Sequence, residues 1–434
     1  MIVMKFGGSS VGDADCIRRA HGIVAERLDK SPIIVVSAAA GVTDLLLSSA
    51  RKAVSRQNGV DALVDSITKP HTELLTALGL DANLLDAEFS ELREVFHGIH
   101  LLGELSPRTS DYAMSFGERF SAKTVAAFFT AQGTSSTAVM GWDAGLVTDS
   151  SHTCAEVLPE TYSGITLPTG AVPVVTGFIA KSASGEITTL GRGGSDYTAA
   201  IIGSALGAEE IQIWTDVDGV LTTDPRLVGA AKRLDAIGFD EASELSYFGA
   251  RVLHPKSIWP AVKKSIPVRV LNTFNPSNPG TAILPEAKAE REFTAIAFKR
   301  GVTVVRIAST RMLLAHGFLA KIFEAFEKHA ISVDLVSTSE VSVSMTLDNT
   351  ENLDAAIAEL EQYGTVEVKD GMAVVCVVGR HKTGTSGRIF SICGDSQIPI
   401  KMISLGASRI NLSFVVPGDD LEKCVKVLHK ELFE

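Results

Sequence analysis

Through the first 285 residues, short apolar runs alternate with stretches of helical periodicity. The opening "MIVMKF", then "SPIIVVSAAAG", "AVPVVTGFIA", "EIQIWTDVDGV" and "IPVRVLN", are apolar, rich in β-branched residues and closed by small or polar ones. Each predicts a buried strand. "FSAKTVAAFFTAQG" and "DYTAAIIGSALGA" between them predict helices. Strand, small-residue turn and helix in succession predict an α/β fold on a mostly parallel sheet, whose ligands sit at the carboxyl ends of the strands. Residues 60–130 are helix-rich with no strand pattern and read as an insertion or cap.

The pattern changes after "NPSNPGTAILPEAKAERE" (275–292), where turn residues give way to a charged run that suits a linker. Beyond it "VTVVRIAS" predicts a strand, "GFLAKIFEAFEKHA" an amphipathic helix, "SVDLVSTSEVSVSMTLD" a strand pair, "ENLDAAIAELEQYG" a second helix and "TVEVKDGMAVVCVVG" a strand. This βαββαβ order recurs through "GTSGRIFSICGDSQI" and "LGASRINLSFVVPGDDLEKCVKVLHKELFE", so the tail reads as a duplicated small α+β module.

A chain of 434 residues, 45% hydrophobic and 21% charged, has ample core for two or three domains. A net charge of −11 disfavours nucleic acid as a general partner. The five cysteines are scattered with no C-x-x-C pair, which suits reduced thiols and supplies no zinc framework. No apolar run approaches the ~18 residues of a membrane helix. No secretory leader opens the sequence, so the expected location is cytoplasmic.

Candidate chemistry begins at "KFGGSS". Lys5 ends a strand ahead of Gly7, Gly8 and Ser9, whose backbone N–H groups could cradle an anion. The lysine precedes the glycines, opposite to the P-loop order, and no P-loop is present. A solvated lysine before a glycine turn is the plain alternative. In "TTLGRGGSD", Arg192 offers a planar fork for a carboxylate or phosphate. Gly193 and Gly194 allow close approach there, and Ser195 and Asp196 open a helix; a tight turn with an N-cap would look the same. "IWTDVDGVLTTDPR" places Thr215, Asp216 and Asp218 after a strand and Asp224 and Arg226 beyond, as a ribose- and phosphate-facing edge or simply as two turns. Glu118 in "SFGERFSA" reads on its own as a solvated helix residue. His97 and His100 lack the further ligands of a metal site. No Ser-His-Asp order or catalytic cysteine stands out.

"VMKFGGSSV" resembles the N-terminal signature of aspartokinases, members of the amino-acid kinase family. "VVSAAAGVTDLL", "SFGERFSA", "TTLGRGGSDYTAA", "WTDVDGVLTTDPR" and "YFGARVLHPKS" are similar to that family's successive motifs in its order. The tail resembles the paired ACT modules of lysine-sensitive, monofunctional aspartokinases. The resemblance spans nearly the whole chain. It implies an amino-acid kinase domain over 1–285, a linker and first regulatory strand over 286–300, one ACT module over 301–370 and a second over 371–434, with strands exchanged between the modules. It implies ATP- and Mg²⁺-dependent phosphorylation of the L-aspartate side chain to 4-phospho-L-aspartate, the first step toward lysine, threonine and methionine.

By matching position, Lys5 and Asp196 would be catalytic. Thr43, Glu118, Arg192, Gly193, Gly194 and Ser195 would hold aspartate, with Glu118 taking its α-ammonium. Lys5, Gly7, Gly8, Ser9, Thr215, Asp216, Leu221, Arg226, Arg251 and Val252 would bind ATP, and Mg²⁺ would ride on the phosphates rather than on protein ligands. Met312, Gly317, Phe318, Leu319, Ser332, Val333, Asp334, Ser339 and Glu340 would bind L-lysine as allosteric effector, where ACT modules of two subunits meet in a dimer or tetramer. Neither nucleic acid nor membrane is an expected partner. Leu221 stands where many relatives carry tyrosine, Arg251 where many carry lysine, and Ala315 where lysine-sensitive relatives commonly carry serine. A kinase for glutamate, acetylglutamate or a nucleoside monophosphate is the first alternative, and a catalytically silent amino-acid sensor the second. A fused homoserine dehydrogenase is not expected, since no sequence follows the ACT repeat.

Overall fold

A computed structural model describes residues 1–56, 59–248, 255–285, 291–309, 316–406 and 409–434. Arg251, Val252, Met312 and Ala315 lie outside the described residues. The chain packs as two units. The first holds Met1–Val220, Asp235–Phe239 and Val252–Ala287; the second holds Leu221–Leu234, Asp240–Arg251 and Lys288–Glu434.

The first unit contains β1 (Ile2–Phe6), β2 (Pro32–Val36), β3 (Ser136–Val139), β4 (Val147–Thr148), β5 (Val172–Thr176), β6 (Ile179–Ser182), β7 (Ile187–Thr189), β8 (Glu210–Thr215), β9 (Ala236–Gly238), β10 (Val268–Asn272) and β11 (Thr281–Leu284). Its helices are α1 (Ala14–Ala25), α2 (Val42–Ser55), α3 (Val60–Ala77), α4 (Asp86–Leu102), α5 (Pro107–Ala131), α6 (Thr161–Gly164) and α7 (Gly194–Leu206); α8 (Phe239–Tyr247) packs mainly with the second unit and α9 (Pro255–Lys263) with the first. Eight strands form one sheet in the order β3-β5-β2-β1-β8-β10-β11-β9. Every neighbouring pair is parallel except β10 with β11.

β1 lies inside the sheet and divides its side chains by the strand's period of two. Ile2, Met4 and Phe6 join a core with Ile17 and Val24 of α1 and with Val125 and Phe129 of α5. Val3 and Lys5 therefore fall on the opposite face, against which α7 packs. The 60–130 region holds α3, α4 and nearly all of α5, joined by turns at 78–85 and 103–106, with no strand, as its pattern predicts. It is more than a cap, because α5 is continuous. Its first half shares a separate core with α2, α3 and α4, and its second half lies on the sheet.

The run "AVPVVTGFIA" does not form one strand. It breaks at Gly177–Phe178 into β5 of the large sheet and β6 of a three-stranded sheet ordered β4-β6-β7. Phe178 sits at φ +64°, in the left-handed region that strains a bulky residue.

The second unit contains β12 (Ala295–Ala308), α10 (Phe318–Lys328), β13 (Val333–Thr338), β14 (Ser342–Leu347), α11 (Leu353–Leu360), β15 (Thr365–Val378), α12 (Thr385–Asp395), β16 (Met402–Ser404), β17 (Asn411–Pro417) and α13 (Leu421–Phe433). Its six strands make one antiparallel sheet, β13-β14-β12-β15-β17-β16. β12 and β15 are each 14 residues long and pair from end to end, with register shifts between Arg300 and Val302 and between Val302 and Val304. Thr303–Ala308 of β12 pairs with β14, while Met372–Val378 of β15 pairs with β17. Each long strand thus serves two modules. Separate cores form under α10 and α11 and under α12 and α13.

Candidate functional site

Lys5 is the fifth residue of the chain and only 9% exposed. Its position on the α7 face brings its Nζ to 2.6 Å from Oδ1 of Asp196, in the first turn of that helix. α7 starts after Gly193, whose φ of +68° suits glycine, and glycine is again required at 194. A Cβ there would stand 2.7 Å from the Phe178 ring and 3.1 Å from its Cα. Phe178 is itself held. Its N–H donates to Thr198 Oγ1 (3.1 Å), and Thr198 Oγ1 donates to the Gly194 carbonyl (3.0 Å).

Glu118 comes from the middle of α5 and is 2% exposed. Gly117 lets the helix approach the turn after β2, since a Cβ at 117 would meet that of Ala38 at 2.7 Å. The Ala38 N–H then donates to Glu118 Oε1 (3.0 Å), while Oε2 is buried with no hydrogen-bond partner among the described residues. Burial pushes the carboxyl up to about 8, against the smaller opposing effects of the Ala38 N–H and the Lys5 charge.

These groups line one cleft of ≈ 260 Å³, the room of a small metabolite, together with Ser37, Thr43, Phe178, Gly191, Gly193, Gly194 and Ser195. Thr43 lies in the first turn of α2. Two helix N-termini and an ammonium therefore meet one buried carboxyl. The first three favour negative charge; Glu118, once ionised, favours positive.

Of the catalytic and aspartate-binding residues expected from sequence, all but Arg192 line this cleft. Arg192 is exposed in the turn between Gly191 and Gly193. Gly7, Gly8 and Ser9 follow β1, and Gly8 has a packing role of its own. A Cβ there would lie 2.8 Å from the Ala38 carbonyl oxygen. Thr215 ends β8, the strand beside β1, and Asp216 follows it, with the Thr215 hydroxyl 3.1 Å from Asp216 Oδ1. Asp218 accepts from the Asn272 side chain (2.8 Å) and belongs to a turn. In the second unit Leu221 bridges to Arg233, and exposed Arg226 forks onto Asp224 at 3.0 and 2.6 Å. Among the described residues no group of three His, Cys, Asp or Glu side chains is placed to hold a metal ion.

Sequence reasoning missed Ser37, Phe178 and Gly191. Gly191 lies inside "TTLGRGGSD", and Gly177–Phe178 marks a break inside an apolar run. Ser37 lies inside "VVSAAAGVTDLL", where the apolar run meets small residues.

Around β13, Gly317 caps α10 at φ +78°, Phe318 is buried and Leu319 is 40% exposed. Ser332, Ser339 and Glu340 are exposed and Val333 is partly buried. The Asp334 side chain is 6% exposed and takes a hydrogen bond from Tyr247 (2.6 Å) and an ion pair from Lys299 (3.1 Å).

The amino acid kinase family matches residues 1–272, and an ACT domain matches residues 375–432. The chain is 41% identical to chloroplastic aspartokinase 1 of Arabidopsis thaliana, over all of this chain and 80% of that protein. It superposes with a TM-score of 0.88 on the crystal structure of Escherichia coli aspartokinase III in complex with aspartate and ADP (R-state), at 36% identity with both chains fully covered. The complex of that enzyme with lysine and aspartate (T-state) gives a TM-score of 0.80 at 35% identity, again over both whole chains. The chain belongs to the aspartokinases of the amino acid kinase family, carries an ACT regulatory region, and is an aspartate kinase.

Proposed function

We propose that the cleft between β1, α5 and α7 binds L-aspartate and that the substrate's side-chain carboxylate attacks the γ-phosphorus of ATP directly, breaking its bond to the β,γ-bridging oxygen and releasing ADP and 4-phospho-L-aspartate. The observation that carries this is the pairing of Lys5 and two helix N-termini with the buried Oε2 of Glu118, which has no partner among the described residues. An amino acid with two carboxylates and one ammonium matches that distribution of charge. Glu118 would take the α-ammonium, and Thr43, Gly193, Gly194 and Ser195 the carboxylates. Arg192 would reach the substrate from its exposed turn.

The attacking carboxylate is already an anion and needs no general base. The barrier lies in bringing two anions together, so cationic and N–H groups carry the catalysis. Lys5 would sit on the transferring phosphoryl group, aimed by Asp196. Gly7, Gly8 and Ser9 would contact the phosphates, with Thr215, Asp216, Leu221, Arg226, Arg251 and Val252 along the nucleotide. The E. coli homologue's complex with ADP supports ATP as donor. Mg²⁺ carried on the phosphates would supply further charge neutralisation. Free thiols at Cys16, Cys154, Cys376, Cys393 and Cys424 favour a reducing, cytoplasmic setting.

L-Lysine is the effector we favour, supported by the lysine complex of the E. coli homologue. Asp334 lies on β13 and Glu340 in the hairpin turn beyond Thr338, so about 13 Å of strand plus part of the turn separates them in one chain, more than a lysine spans. A single lysine would touch both only if two subunits contributed, which favours a dimer built on the ACT modules.

The test is trapping of acyl phosphate with hydroxylamine from L-aspartate, ATP and Mg²⁺, with and without lysine. Lys5→Ala should lower kcat by about 10²–10³-fold. Hydroxamate from another amino acid but not aspartate would sink the substrate; full activity in saturating lysine would sink the effector.

A further inference from the structure

A second buried carboxylate on α5 has no part in the reaction just described. Asp111 lies seven residues, two helical turns, before Glu118 and is 0% exposed. Both oxygens are taken. Thr189 Oγ1 donates to Oδ1 (2.7 Å), the Thr153 N–H reaches Oδ1 (3.1 Å) and Oδ2 (3.0 Å), and His152 Nδ1 lies 2.9 Å from Oδ2. The far side of His152 faces Glu186 (3.5 Å), which pairs with Arg108 (2.8 Å).

Two of these partners border the aspartate cleft. Thr189 ends β7 and leads through Leu190 into Gly191, which lines the cleft. Its carbonyl accepts from the Ala155 N–H (2.9 Å), tying it to the 150–156 loop. That loop packs on Gly191 itself, where a Cβ would stand 3.2 Å from Cys154 Sγ. Thr153 has φ +72°, an uncommon and strained conformation for a β-branched residue. Such strain persists only where the surroundings over-determine it, and here the Thr153 N–H is captured by Asp111.

We infer that Asp111 is a positioning residue for aspartate binding. Its carboxylate clamps the strained Thr153 loop against the Leu190–Gly193 turn and so sets the backbone that meets the substrate. The inference rests on the reading that the cleft holds aspartate.

The test is steady-state kinetics of Asp111→Asn, which keeps the size but leaves one oxygen to serve three donors. KM for aspartate should rise about tenfold with KM for ATP within about twofold, since misplacing a binding turn costs substrate affinity first. Thr153→Gly in the same background should recover part of that rise, because glycine takes φ +72° without the clamp. An unchanged aspartate KM with a lowered melting temperature would overturn the inference, as would equal changes in both KM values. If Asp111→Asn does not fold, Thr189→Val removes one donor and carries the same split, with no change in aspartate KM overturning it. Glu118→Gln is run alongside. If it leaves aspartate KM unmoved, the cleft reading falls and this inference with it; if it raises KM while Asp111→Asn does not, only this inference falls.

Discussion

Glu118 sits where a charge is disfavoured, yet its proposed role needs one. Burial holds its carboxyl at about 8 against an ordinary value of 4.5, so the unliganded protein keeps it protonated at neutral pH. An ammonium arriving at Oε2 favours the ionised form and pulls that value down. Aspartate binding at pH 7 should therefore release close to one proton, read as the dependence of calorimetric heat on buffer ionisation enthalpy. Glu118→Gln should abolish the release and weaken aspartate. The same group shapes stability. Between pH 4.5 and about 8 the native state holds a proton that the unfolded chain has lost, so stability falls as pH rises through that window. Glu118→Gln should flatten this slope in thermal melts of the unliganded protein. An unchanged slope would mean that Glu118 is ionised when free.

At the scale of elements, the site exists because three of them approach closely at glycine. A Cβ on Gly177, at the end of β5, would stand 2.5 Å from the Cβ and 2.8 Å from the Cα of Ser195, so it would push the first turn of α7 itself. Gly177→Ala should raise aspartate KM about tenfold or more and lower the melting temperature. Gly98→Ala, in α4 with no described atom within 4 Å of the added Cβ, should leave kinetics unchanged and stabilise by about 0.5–1 kcal/mol. Kinetics that move equally in both variants would remove close packing at Gly177 as the cause.

Much of this was legible in the order of residues. The parallel strands announce themselves as β-branched runs closed by small residues, and α7 begins where "GRGGSD" says a helix should. Lys5, Gly193, Gly194, Ser195 and Asp196 were visible for the same reason. What was hidden has a physical cause. "AVPVVTGFIA" is apolar but for Thr176 and Gly177, so only Gly177 hints that the chain turns at Phe178. "VTVVRIAS" reads as a strand by itself, yet it is only the second part of the 14-residue β12, which passes through Gly301 in the left-handed region. Asp111 is one acid among many in a helix. Only the fold brings Thr153, Thr189 and His152 to it from 41 to 78 residues away.

At the scale of the whole molecule, α8 lies in sequence between two stretches of the first unit but packs with the second. Three residues at intervals of three secure it there. Glu241 accepts from Thr294 (2.6 Å), Glu244 accepts from Asn411 (2.6 Å), and Tyr247 donates to Asp334 (2.6 Å). Asp334 is also the carboxylate that the lysine reading assigns to the effector's ammonium, and Lys299 already pairs with it and with Asp348. An incoming ammonium has to share or replace those partners. By linkage, a bond made only in the effector-free state opposes the effector by its own free energy, so removing it strengthens effector binding. Tyr247→Phe deletes the hydroxyl and leaves the ring. It should bind lysine about three- to tenfold more tightly, the range of a partly screened hydrogen bond to a charged group. Inhibition should move to lower lysine by the same factor, with aspartate KM unchanged when lysine is absent. Calorimetric titration of lysine into both proteins measures this directly. Equal or weaker binding by the variant would mean that the effector does not use Asp334, and the ammonium would then have to be sought at Glu340.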